Sequence, residues 1–102
     1  MKTERYFINI EGFIINNMDI DRISWKKGII YLNDNFIGQQ REYYLENYNS
    51  ECWQGEIFKP IKKSELKKFD VGYREFANHF DYIKDTSFFK DFWYNLNNGG
   101  LK

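Results

Sequence analysis

The chain contains a single proline, Pro60, and the spacing of its apolar residues changes there. An apolar residue at every second position buries one face of a strand, and a period near 3.6 buries one stripe of a helix. A chain with the first pattern upstream and the second downstream must combine a sheet with helices. Upstream, "RYFINIEG" alternates Tyr6, Ile8 and Ile10 against Phe7, Asn9 and Glu11, which predicts a half-buried strand ending at Gly12. "FIINN" predicts a short second strand that stops at Asn16 and Asn17. "DRISWKKGIIYLND" predicts a hairpin in which Ile23 and Trp25 lead in, Lys26, Lys27 and Gly28 turn, and Ile29 to Leu32 return. "NDN" at 33–35 predicts a turn. "FIGQQREYYLENY" favours a strand with Tyr43 and Leu45 on one side, and "CWQGEIF" a further strand with Gly55 at a bulge or turn.

Downstream, Leu66, Phe69, Tyr73, Phe76, Ala77, Phe80 and Ile83 fall within an arc of roughly 120° on a helix. Ser64 is positioned as its N-cap, and Asp70 or Gly72 as a break between a short helix and a longer one. A last helix follows a cap at Asp85 or Thr86 and ends near Asn98, Gly99 and Gly100. It contains "SFFKDFWYNL", whose Phe88, Phe89, Phe92, Trp93 and Leu96 share one face about 140° wide. That face predicts core. Tyr94 points away from it, and Tyr82 lies off the preceding helix face, so these two tyrosines are candidates for surface contact. The expected architecture is α+β in one domain spanning 1–102, with 1–58 mainly strands and 64–98 mainly helices. Its antiparallel sheet has about four to six strands, covered on one face by two or three C-terminal helices.

Composition narrows the chemistry. Aromatic residues make up 21% of the chain, enough for a folded core, whereas Ala and Val occur once each. The skew toward Ile, Phe, Tyr, Asn and Lys follows AT-rich codons, so an aromatic residue is not by itself a ligand site. Net charge is zero, which argues against a globally basic nucleic-acid binder. The lone Cys52 can form no internal disulfide, and no apolar run has the length of a signal peptide or a membrane span, so a cytoplasmic location is expected.

Few residues are left for catalysis. A Cys–His pair could be built only from Cys52 and His79, and a buried thiol beside a helix-edge histidine explains both more simply. "NNMDIDR" alternates Asn17, Asp19 and Asp21 as calcium loops do, but the glycine and glutamate that such a loop needs are missing. The glycines match no phosphate-binding loop, and no thiol or imidazole motif for a metal occurs. No enzyme activity, cofactor, metal or small-molecule substrate is expected. One charged run remains: "KPIKKSELKK" carries Lys59, Lys62, Lys63, Lys67 and Lys68 against Glu65, with Lys26 and Lys27 at the hairpin tip and Trp25, Trp53 and Phe58 nearby in sequence.

In its size, lone-domain build, codon bias and lack of a catalytic set, the chain resembles the small inhibitors carried by phages and mobile elements. These are anti-CRISPR proteins and, less closely, immunity proteins of toxin pairs. The resemblance implies a protein that inhibits or modulates a protein or ribonucleoprotein target by stoichiometric binding, without a membrane. The residues expected to bind that partner are Tyr82, Tyr94, Lys62, Lys63, Lys67 and Lys68. The alternative is an accessory protein that holds RNA or single-stranded nucleic acid with Lys26, Lys27, Lys59, Lys62 and Lys63, since basic groups interleaved with aromatics suit that ligand.

Overall fold

A computed structural model describes residues 5–33, 42–73, 81–85 and 87–96. Along the chain run β1 (Tyr6–Asn9), β2 (Phe13–Asn16), β3 (Ile20–Ser24), β4 (Ile29–Leu32), β5 (Glu42–Tyr44), β6 (Phe58–Ile61), α1 (Lys63–Leu66), β7 (Val71–Tyr73), β8 (Asp81–Ile83) and α2 (Phe89–Asn95). Short 3-10 turns lie at Asn17–Asp19 and Gln54–Glu56. The strands form two antiparallel sheets, one of five strands in the order β6-β1-β2-β8-β7 and one of three in the order β3-β4-β5. The α+β class is as expected, with a second sheet added and, among the described residues, two short helices.

The second sheet changes what β1 experiences. Phe7, Ile15 and Phe58 from one face of the five-stranded sheet pack with Ile30, Leu32 and Leu45 of the three-stranded layer. Ile8, Ile14 and Ile61 from the other face pack with Ile83 and with Phe89, Trp93 and Leu96 of the α2 segment. β1 is therefore buried on both sides instead of half-buried, as its unbroken Phe7–Ile8 apolar pair permits. Asn9, expected on the wet side, is also buried. Its Nδ2 donates to the Gly55 carbonyl at 2.8 Å, and its Oδ1 accepts from the Glu11 and Phe13 amides at 3.0 and 2.8 Å. A buried side-chain amide is tolerated when both its oxygen and its nitrogen are hydrogen-bonded, and these bonds fix the β1–β2 turn.

The β3–β4 hairpin forms as expected. Gly28 sits at φ +75°, and a Cβ there would stand 2.8 Å from the Tyr48 amide nitrogen, so only glycine closes this turn. β5 places Tyr43 against the same core as Leu45, as the pattern predicted. Residues 34–41, including all of the "FIGQQR" stretch and part of the "NDN" turn, lie outside the described residues. In "CWQGEIF" the strand begins only at Phe58, because Gln54–Glu56 winds into a 3-10 turn. β6 then runs through Pro60. It is an edge strand, and an edge tolerates a residue with no N–H to give the ladder. The proline thus ends no strand region; it lies inside one.

The helical reading of 64–83 is corrected. α1 is a single turn, with Lys62 and not Ser64 at its N-cap. Val71–Tyr73 and Asp81–Ile83 pair as strands, and β8 also pairs with β2, so β8 is bonded on both sides and β7 closes that edge of the sheet. Gly72 makes the close approach possible: the Lys84 and Tyr82 side chains lie across it, where a Cβ would meet Lys84 Cε at 2.7 Å. Leu66, Phe69 and Ile83 still reach one core, which is why the arc looked coherent. Phe76, Ala77 and Phe80 lie outside the described residues. α2 is shorter than expected, with Phe88 at its N-cap and Asp85 accepting from the Ser87 amide and hydroxyl before it begins. Phe89, Trp93 and Leu96 are buried and Phe92 partly so, but Phe88 is 79% exposed, because it precedes the first helical turn. Thr86 and 98–100 lie outside the described residues.

Candidate interaction surface

The α2 side of the molecule holds a charged residue where the sequence suggested none. Lys59, expected in a solvated basic patch, is 2% exposed. Its partner in β1 is Ile8, so its side chain shares the face that packs against α2. The ammonium bonds the Trp93 carbonyl at 2.8 Å, pairs with Glu46 Oε2 at 2.9 Å and sits 4.0 Å from the Trp93 ring centroid. A buried cation is tolerable when its donors meet a carboxylate, a carbonyl and an aromatic face. The Trp93 indole N–H in turn donates to the Ile8 carbonyl at 3.0 Å. Lys59 therefore anchors α2 and is withdrawn from nucleic-acid binding.

One residue on, the chain faces outward. Tyr94 is 60% exposed, yet it is held on two sides. Its ring meets Trp93 edge-on at 5.5 Å, and its hydroxyl accepts from Gln54 Nε2 at 3.0 Å. Gln54 belongs to the 3-10 turn after Trp53, which is 67% exposed. That turn is pinned by Trp53 N–H donating to Glu56 Oε1 at 3.0 Å, by Glu56 N–H donating to the Trp53 carbonyl at 2.8 Å, and by Asn9 on the Gly55 carbonyl. Gln54 and Tyr94 thus join chain segments 40 residues apart, and the exposed Trp53 stands next to Gln54 in the same turn. Tyr94 was legible as the position opposite the apolar stripe of α2. Gln54 was not, because nothing local in "CWQGE" says that α2 ends beside it.

The other predicted contacts are dispersed. Lys62, Lys63, Lys67 and Lys68 are exposed around α1, whose Leu66 joins the same core as α2. Lys26 and Lys27 are exposed at the tip of the β3–β4 hairpin, which packs on the opposite face of the central sheet. The two basic groups therefore do not merge into one groove. Tyr82 lies in β8 and not on a helix. It sits opposite Phe13, whose ring packs toward the three-stranded layer, so it does not join Tyr94. Trp25 is partly exposed near the lysine tip, whereas Phe58 is buried.

Asp19 Oδ2 accepts from the Asn16 amide and Asn16 Oδ1 from the Met18 amide, which closes a capping box. Burial, with Glu56 nearby, pushes the Cys52 thiol up, the opposite of nucleophile activation. His79 lies outside the described residues. Burial, and then Glu56, pushes the Tyr43 hydroxyl up to about 12 while its ring stacks on Phe58 at 4.4 Å. Among the described residues no cluster of three or more His, Cys, Asp or Glu could hold a metal, and no helix is long and apolar enough to cross a membrane. No protein-family model matches the chain, and neither a curated protein nor a solved structure is similar to it.

Proposed function

We propose that the protein works by stoichiometric binding of a protein or ribonucleoprotein partner, docked on Trp53, Gln54 and Tyr94. The observation that carries this is Tyr94: a large aromatic ring left in solvent but held in place by Trp93 and Gln54. An exposed aromatic that is already fixed loses little entropy on binding, and Trp and Tyr dominate the energetics of interfaces. The α1 lysines border the same side and supply charge that speeds encounter with an acidic partner or a nucleic-acid-bound complex. Inhibition of a nuclease complex is the form of this activity to test first, since such a target offers both an acidic ligand and a protein surface. Nucleic-acid binding by lysines alone is less favoured, because Lys59 is buried and Lys26 and Lys27 sit on the other layer.

A photo-crosslinking amino acid at position 94, and separately at 53, tests the proposal in cells that carry the partner. Both positions should join the same protein, and position 82 should not. Titration of the purified partner should then saturate at a small integer ratio. Complete loss of the partner's activity at far below stoichiometric amounts would replace a binder with an enzyme. A gel shift of RNA without any protein adduct would favour the nucleic-acid alternative.

A further inference from the structure

On the opposite layer lies an open cleft of about 440 Å³. Phe7, Ile20, Ile23 and Trp25 give it an apolar wall, and Arg5 and Arg22 stand among them. Among the described residues that line it there is no Asp or Glu. Both guanidiniums are set by neighbouring rings: Arg22 lies 3.8 Å from the Tyr31 ring centroid and Arg5 5.8 Å from that of Trp25. Asn17 Oδ1 accepts the Arg5 amide, which ties the start of β1 to the turn that leads into β3. The Trp25 ring also leans on Phe7, at 6.2 Å and 41°. The volume is that of an ordinary small-ligand site, and the lining has the usual make-up: mostly apolar, with a few fixed polar groups.

We propose that this cleft binds a small organic anion with a flat apolar body, such as a nucleoside monophosphate or an aryl carboxylate. Two guanidiniums without a lining carboxylate call for a negative ligand, and the guanidinium fork matches phosphate and carboxylate oxygens. An indole beside aliphatic side chains calls for a flat ring. The two ligand types share a flat ring and an oxyanion, a phosphate in one and a carboxylate in the other. The site is independent of the Tyr94 patch, since its residues pack toward the other face of the central sheet. Sequence gave no signal for it, because Arg5 and Arg22 are brought together only by the fold.

The test is a titration of the full chain with AMP, 2-naphthoate, adenosine and inorganic phosphate, followed by amide and indole NMR. AMP or 2-naphthoate should shift the Trp25 indole resonance and the amides of residues 5–7 and 20–25, and leave the Trp53 and Trp93 indoles in place. Whichever of the two binds tighter identifies the ligand type. Arg22→Gln and Arg5→Gln should each weaken that ligand by about tenfold or more, with an otherwise unchanged spectrum showing that the fold is intact. Adenosine and phosphate should each bind at least about tenfold more weakly than AMP if AMP is the ligand. No Trp25 shift with either anion at about 10 mM overturns the proposal. So does adenosine binding as well as AMP, or full affinity in both arginine variants. A short single-stranded oligonucleotide binding far more tightly than AMP would replace the small anion with a nucleic acid.

Discussion

The two faces of the five-stranded sheet are built on different terms. On the three-stranded side, Phe7, Ile15, Ile30, Leu32, Leu45 and Phe58 make an apolar core in which the sheets supply the backbone bonding and a turn glycine supplies the geometry. On the α2 side, an apolar cluster of similar size surrounds a lysine, and the short helix is fixed by polar bonds from Lys59 and Trp93 as well as by burial. A seven-residue helix cannot hold itself in water, since isolated helices shorter than about 12–15 residues are marginal. The difference explains why the rigid exposed patch lies on the α2 side. The contacts that pin α2 from within are one residue away from Tyr94, which they present outward.

The largest expected effect comes from removing the residue that joins the two kinds of contact. Trp93→Ala should destabilise by about 3–5 kcal/mol in chemical denaturation, since it opens a cavity and strips a ring from Lys59 and a donor from the Ile8 carbonyl. Trp93→Phe should recover part of the loss. A loss below about 1 kcal/mol would mean that α2 is not docked as described. On the other face, Gly28→Ala should cost about 2–3 kcal/mol, because it forces a side chain into a left-handed turn against the Tyr48 backbone. Substituting an exposed hairpin residue such as Lys27 should change stability by less than about 0.5 kcal/mol.

Alkaline titration sharpens the comparison. Tyr43 belongs to the three-stranded side, and its hydroxyl is pushed up to about 12. The folded state then holds this proton after the unfolded chain has released it near pH 10. The stability it contributes is complete below pH 10 and is lost as pH rises from about 10 to 12, by about 1–2 kcal/mol after allowance for partial exposure. Tyr43→Phe should flatten the fall in denaturation midpoint over that window. An unchanged slope would contradict the burial of its hydroxyl. Lys59→Met keeps most of the buried side-chain volume but leaves the Trp93 carbonyl without its donor and Glu46 without its cation, so it should cost about 1–2 kcal/mol. No loss at all would show that burial alone, and not the lysine, holds α2.

What the sequence disclosed follows the same division. The β3–β4 hairpin was legible because alternation and Gly28 act within a few residues of one another. The core stripe of α2 was legible because Phe89, Trp93 and Leu96 repeat at helical spacing. β7 and β8 were not, since three-residue strands carry too little pattern to outvote a chance helical arc. The second sheet layer went unseen for a related reason: alternation in β1 says that one face is buried and is silent on whether something covers the other. Lys59 read as surface because its burial depends on Trp93, 34 residues away. Tyr94 read correctly as exposed, but that Gln54 holds it could be known only from the fold.

The Trp53→Ala/Tyr94→Ala double variant tests the central claim most directly, by equilibrium denaturation of the variant and by titration against the crosslinked partner. The two side chains are mostly in solvent, so the denaturation midpoint should stay close to the parent's, with a loss of no more than about 1 kcal/mol. Affinity for the partner should fall by about 100-fold or more, as expected when two aromatic anchors at the centre of an interface are truncated. Unchanged affinity in a folded double variant would contradict the account.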